Sequence, residues 1–431
     1  MADRPSSALA EGVRPREVWS WAMYDFANSG YTTVVITAVF NAYFVAEVAG
    51  NAPWATFVWT AALAVSNLLV MASAPALGAY ADARAAKKPL LALTTVGCVL
   101  FTATLALVDH GDIALAFLLV VLSSFFFGSG ESLIAAFLPE LAHEDALGRV
   151  SGWGWSLGYV GGLMSLGASL AYVSAAQARG ASATEFVPGS MLITAVIFAL
   201  ASLPTFLVLR ERAVPVADAR AGIVTTALAR LMQTLRHARR YADFRRFLIC
   251  LVFYQAGIQA VVALAAIYAQ QAMSFSTRDT LILVFVVNVT AALGAFFFGQ
   301  VQDRIGHVRT IILTLIGWLI TVVLAWAAQG PVLFWVAANM AGVCLGSSQS
   351  AGRALVGYLS PPARRAEFFG LWGLAVKLSS ILGPVTYGVI TWASGGDHRL
   401  AILITGSYFV VGIAIVAGVD TARGRRAALE N

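Results

Sequence analysis

Apolar residues along the chain fall into twelve long runs separated by short polar breaks. The runs occupy 19–45, 54–79, 89–108, 113–138, 150–173 and 191–209, then 247–269, 280–299, 310–328, 332–354, 368–392 and 400–419. At 1.5 Å per residue each can cross a hydrocarbon layer of roughly 30 Å as a helix. Membrane strands would be about ten residues long and alternating, so the pattern predicts helices. Trp19, Trp54, Trp335 and Trp392 mark run ends, as interfacial aromatic residues do. The breaks are short except for 210–246, which separates six runs from six. The predicted organisation is therefore a six-helix unit over 1–209, a basic linker over 210–246 and a second six-helix unit over 247–431. Within the linker, Ile223, Ala227, Leu231 and Leu235 share one helical face. That face predicts either an amphipathic helix on the inner membrane surface or a solvated charged linker.

The charged positions orient this array. With the N-terminus in the cytoplasm and one crossing per run, 24 lysines and arginines fall on the inner side. Arg179, Arg278 and Arg399 fall outside, and Lys377 lies within a run. Basic loops resist translocation, so the asymmetry predicts that both termini are cytoplasmic. Composition agrees. Of 431 residues, 59% are hydrophobic and 12% charged, too apolar for an aqueous fold. A net charge of +6 would suit nucleic acid, but the basic residues follow the membrane rather than forming one patch, which argues against that partner. Cys98, Cys250 and Cys344 sit inside apolar runs without metal spacing and read as small buried hydrophobes. No signal peptide is recognisable, and the first run reads as an uncleaved span.

One pattern occurs twice. Gly78, Asp82, Arg84, Lys87 and Lys88 follow the second run, and Gly299, Asp303, Arg304 and Arg309 follow the eighth. The glycine-to-aspartate spacing recurs 221 residues apart, at the same place in each six-run half. This is the mark of a duplicated architecture. At these loops the chain resembles the major facilitator superfamily. The resemblance implies two pseudo-symmetric six-helix bundles around a central cavity. It also implies gating loops in which the glycine permits close helix approach, the aspartate caps a neighbouring helix end and the arginines bind carboxylates across the halves. Ala83 stands where the first copy would carry an arginine, which predicts a weaker first latch.

A narrower resemblance is carried by WAMYDFANS at 21–29, GRVSGWGWSLGYVGG at 148–162, EFFG at 367–370 and KLSSILGP at 377–384. These segments are similar to the vacuolar amino-acid effluxer-like branch of the superfamily. The resemblance implies a transporter, with amino acids as the first candidate solute and a small drug or metabolite next.

Charges inside hydrocarbon cost at least ~2.5–3.5 kcal/mol each, which makes them functional candidates. Asp25 lies six residues into the first run and Glu131 seven from the inner end of the fourth. The superfamily resemblance places both on cavity-lining helices. One of them is expected to carry a coupling proton. The alternative for Asp25 is a structural hydrogen bond beside Tyr24, Asn28 and Ser29. Lys377 either binds a solute carboxylate or pairs with an intramembrane acid. Gln255, Gln259 and Asn339 are pocket candidates that also suit interhelical hydrogen bonding, as do Asn288 and Gln349. Arg353 and Glu367 are expected near the inner surface as a gating pair. Gly154, Gly158 and Gly162 share a helix face, read as the contact across which the halves rock.

No phosphate-binding Gly-x-x-x-x-Gly-Lys loop occurs, and His110, His143, His237, His307 and His398 all fall in predicted loops. ATP drive, metal chemistry and intramembrane proteolysis therefore have no visible residues. The expectation is a monomeric, cofactor-free secondary transporter in the cell membrane, with no enzymatic activity. It would move a small polar solute by alternating access, with Asp25 or Glu131 exchanging the coupling proton. A lipid flippase and a non-transporting receptor or scaffold are the other readings.

Overall fold

The computed structural model describes residues 8–50, 52–213, 241–273, 275, 277–395 and 397–430. The linker segment that carries Ile223, Ala227, Leu231 and Leu235 lies outside the described residues. Twelve helices among the described residues are long and apolar enough to span a membrane. In chain order they are α1 (Pro15–Val48), α2 (Phe57–Arg84), α3 (Lys87–Leu107), α4 (Ile113–Leu141), α5 (Glu144–Gln177) and α6 (Ala183–Val208). The second half holds α7 (Ala242–Val262), α8 (Ile282–Ile305), α9 (His307–Ala327), α10 (Pro331–Leu359), α11 (Pro362–Thr391) and α12 (His398–Val416). A short helix α13 (Thr421–Glu430) follows. In lipid every backbone polar group needs a partner within the chain, and helices supply it. The outward surface is apolar, with Leu93, Val96, Leu100, Leu207 and Phe285 among its exposed side chains.

Two details depart from the sequence reading. The first span is not uniformly α-helical: Thr32–Ala38 and Phe44–Val48 are π-wound. The β-branched stretch from Thr32 to Ile36 crowds a regular helix, and the Thr37 hydroxyl donates to the Thr32 carbonyl five residues back at 3.0 Å. His307 and His398 open α9 and α12 rather than lying in loops.

Both described ends of the chain lie on one face, called here the tail face. Arg212, just after α6, binds Glu17 at the start of α1 at 2.9 Å, and its backbone N–H donates to Glu140 at the end of α4 at 3.0 Å. Glu140 also pairs with Lys87, which is 1% exposed. Glu211 accepts from the Lys87 and Lys88 backbone N–H groups at 2.7 and 3.1 Å, capping the start of α3. Lys87, which the sequence pattern places in the loop after the second run, is thus a buried cation that ties α3 to α4. The halves meet where α2 packs on α11 and α5 packs on α8, with α5 also touching α10 and α4 touching α11.

Candidate functional site: charges across the two halves

Two capped helix ends hold the tail face. Asp82 is 7% exposed and accepts from the Ala366 and Glu367 N–H groups at 3.1 and 2.9 Å, in the first turn of Arg365–Ala393. Asp303 accepts from the Gly148 and Arg149 N–H groups at 3.0 and 3.2 Å, in the first turn of Leu147–Gln177. Each acid sits on a positive helix end of the opposite half. The glycines make the approach possible: a Cβ at Gly78 would strike the Ala366 carbonyl, and one at Gly299 would strike that of Gly148. The arginines of the repeated pattern behave otherwise than expected. Arg84 lies over Tyr80 of its own helix at 5.7 Å, and Arg304 is exposed. The guanidinium that reaches Asp303 is that of Arg149, at 3.2 Å from the other half.

Deeper in, Arg353 of α10 crosses to Asp25 of α1 at 2.6 Å, with side chains 3% and 11% exposed. Its Nε donates to the Ser151 hydroxyl at 3.0 Å and its Nη2 to the Ser151 carbonyl at 2.8 Å. The guanidinium lies between the rings of Trp21 at 4.8 Å and Trp155 at 5.3 Å. Gly154 leaves the room, since a Cβ there would come within 2.6 Å of the Arg353 Nη2. The expected Arg353–Glu367 pair is therefore corrected. Arg353 is buried six residues from the helix end, whereas Glu367 pairs with Arg364 at 2.7 Å one turn away in sequence. Tyr24 is also redirected. Its hydroxyl meets that of Thr95 at 2.7 Å, and its ring packs on Phe198 and Phe206 inside the first half, away from Asp25.

A second pair joins Lys377 of α11 to Glu131 of α4 at 3.3 Å, with side chains 14% and 28% exposed. Lys377 stands about 18 Å along its helix from the tail-side start at Arg365. Its ammonium lies 5.6 Å over the Phe127 ring, which stacks on Tyr31. Asp25 and Glu131, expected as neighbouring carboxylates, are each neutralised by a base from the opposite half. Among the described residues, the hydrogen bonds and ion pairs between the halves run from the tail face to this level.

Other pocket candidates separate. Gln255 donates to Gln349 at 2.7 Å, linking α7 to α10 within one half. Gln259, one turn further, is half-buried. Asn339 and Asn288 donate to carbonyls of their own helices, Trp335 and Val284, each at 2.8 Å. Asn28 keeps a buried Oδ1 and Trp155 a buried Nε1 without a partner. Trp155 and Tyr159, one turn apart on α5 with rings 5.9 Å apart, continue the face that meets Arg353. Sequence reasoning passed over these two aromatic residues, although the 155/159 spacing beside a glycine-rich face was available. The Gly154–Gly158–Gly162 face is corrected as well. It packs on α1 of the same half, against Asp25, Ser29 and Thr33, and only its Gly154 end also meets Arg353 of the other half. On α5 the glycines that meet the backbone of the other half are Gly148 and Gly152, which face Gly299 and Ala295. Among the described residues no group of three or more His, Cys, Asp or Glu side chains is placed to hold a metal ion.

Residues 54–429 match the family described as vacuole effluxer Atg22 like. The chain belongs to this family. Within it, the chain is 28% identical to the uncharacterized MFS-type transporter YxiO of Bacillus subtilis, over 93% of this chain and 94% of that one. It is 26% identical to autophagy-related protein 22 of Kluyveromyces lactis over 46% of this chain and 42% of that one. The fold is that of solved major facilitator proteins. It superposes on the human organic anion transporter MFSD10 with a TM-score of 0.73 at 14% identity, covering 94% and 100% of the two chains. The fucose transporter FucP also gives 0.73 at 14% identity, covering 94% and 98%. This effluxer-like chain is therefore a multi-pass membrane transporter, not an enzyme. Deep between its halves lie two acid–base contacts, Asp25–Arg353 and Glu131–Lys377.

Proposed function

We propose that this protein is a proton-coupled secondary transporter of a small polar solute, with amino acids as the first candidates, working by alternating access. The observation that carries the reading is the Glu131–Lys377 pair, partly exposed and shared between the halves at depth. Protonating Glu131 removes its negative charge and frees the Lys377 ammonium, and deprotonation restores the contact. A charge in hydrocarbon is retained only where something compensates it, so such a pair couples proton occupancy to the approach of the halves. Asp25 and Arg353 form the sealed companion contact, and Asp82 and Asp303 with Gly78 and Gly299 form the tail-side gate. The positions of the basic residues support a cell-membrane protein with both termini cytoplasmic. On that orientation the latched tail face is the inner one, and the arrangement is closed to the cytoplasm. The protein acts as a monomer in this reading. The half-buried Trp155 and Tyr159 rings favour one second reading, export of a larger aromatic drug or metabolite.

Purified protein in vesicles with a trapped pH-sensitive dye, challenged with amino acids and then dipeptides, tests the proposal. Solute-dependent proton movement that disappears in Glu131→Gln is expected. Undiminished proton movement in that variant rejects Glu131 as the coupling site.

A further inference from the structure

The C-terminal helix α13 rides on the second half. Asp243, at the start of α7, accepts from Arg423 Nε and Nη2 at 2.8 and 2.7 Å and from the Asp420 N–H at 2.9 Å. Gly424 lies flat on the same surface, since a Cβ there would come within 2.6 Å of Leu359 and 3.0 Å of Asp243. Arg425 donates to the Tyr358 carbonyl at 3.2 Å and lies over the Tyr358 ring at 5.5 Å, and that ring packs at a tilt against His307, 4.8 Å between centroids. All these anchors belong to the second half. The rest of the Arg425 guanidinium crosses to the first half, where it grips both oxygens of Glu144 in the short turn Glu144–Ala146 that opens α5, Nε at 3.1 Å from Oε2. The Arg425 side chain is 11% exposed. The arginine just after α6, Arg212, instead binds Glu17 and, through its backbone N–H, Glu140 of its own half.

We propose that Arg425 and Glu144 form a third tail-side tie, carried by the C-terminal helix, that holds the halves together and parts each time the tail face opens. It differs from the ties at Asp82 and Asp303. Those put a carboxylate on backbone N–H groups and recur in both halves, whereas this one joins two side chains and is asymmetric. Arg425 is a positioning residue in this scheme: it acts on the equilibrium between conformers and need not touch the solute. A forked guanidinium on a carboxylate is directional, so separation of the halves breaks both bonds at once. The inference rests on the alternating-access reading, and its test separates the two.

The test reads tail-side opening directly. Ser350 is 1% exposed, its hydroxyl faces the Gly148 carbonyl at 3.4 Å, and its carbonyl accepts from Ser151 at 2.9 Å, so it lies between the halves. Ser350→Cys is placed in the full chain carrying Cys98→Ala, Cys250→Ala and Cys344→Ala, and labelling by a water-soluble maleimide is timed in nanodiscs. Arg425→Gln and Glu144→Gln are each expected to raise the labelling rate about three- to fivefold, the range for a partly exposed ion pair. Their combination should not add. Arg425→Glu with Glu144→Arg should return the rate toward the parent, and Arg426→Gln, on the exposed face of α13, should leave it unchanged. Glu144→Gln alone decides the matter if Arg425→Gln does not fold. Unchanged rates in the single variants, no recovery on charge exchange, or an equal rise in Arg426→Gln would overturn the third tie. Asp82→Asn is the reference. If it speeds labelling while the Arg425 and Glu144 variants do not, the third tie fails and alternating access stands. If no variant, Asp82→Asn included, exposes position 350, alternating access itself fails.

Discussion

Two of the charge pairs that cross between the halves, Asp25–Arg353 and Glu131–Lys377, look alike in sequence terms, an acid and a base within or beside apolar runs, yet their surroundings differ. Arg353 uses Nε, Nη1 and Nη2 in hydrogen bonds and fills a slot between two indole rings. Lys377 has one acidic partner at 3.3 Å and one aromatic face nearby, and Glu131 is 28% exposed. A buried guanidinium bonded through all three of its nitrogens is a structural fastening, because its slot leaves little access to its donors. A single ammonium–carboxylate contact with residual exposure can exchange partners. The comparison assigns rigidity to the first pair and exchange to the second.

The largest expected effect comes from breaking the sealed pair on one side. Arg353→Gln leaves Asp25 buried without its cation and should lower stability by about 3–5 kcal/mol, read as lost monodisperse protein or a large fall in melting temperature. Adding Asp25→Asn should recover part of that loss, since the orphaned charge goes with it. A Glu131→Gln protein that loses as much stability as Arg353→Gln would erase the distinction between the pairs.

Next in size, Gly158→Leu should destabilise the first half by about 1–3 kcal/mol through overpacking against α1. Because that face packs within one half, the same substitution should not trap a conformer. Gly299→Leu should instead prevent approach to the Gly148 carbonyl and raise tail-side labelling at position 350. Equal labelling in the two variants would move the rocking contact back to the Gly158 face.

A smaller effect is expected of Glu131→Gln and Lys377→Gln on stability, about 1 kcal/mol or less given their exposure, with loss of solute-dependent proton movement as the main change. The smallest contrast lies at the gate. Arg149→Ala should weaken the Asp303 latch by about 0.5–1 kcal/mol, whereas Arg304→Ala, on an exposed side chain, should stay within about 0.5 kcal/mol in thermal unfolding.

The span count and the repeat were legible because both depend on local runs and spacings. The sites were only partly so. Asp25, Glu131, Arg353 and Lys377 stood out as charges within or beside apolar runs, but their pairing joins residues 328 and 246 positions apart. Sequence expectation put Arg353 with Glu367, a plausible neighbour by depth, because nothing local shows that Gly154 opens a slot beside Asp25. The same reason hid Lys87, whose burial depends on Glu140 arriving from another helix.

Hydrophobic run length and the distribution of basic residues by themselves determined a twelve-helix chain in two related halves, since these act through lipid and backbone hydrogen bonding within each segment. Tertiary structure alone decided which acid meets which base, which glycines separate the halves and that the C-terminal helix reaches across them. Those outcomes turn on distances of a few ångströms between remote segments, where a missing Cβ or one guanidinium's orientation selects the partner.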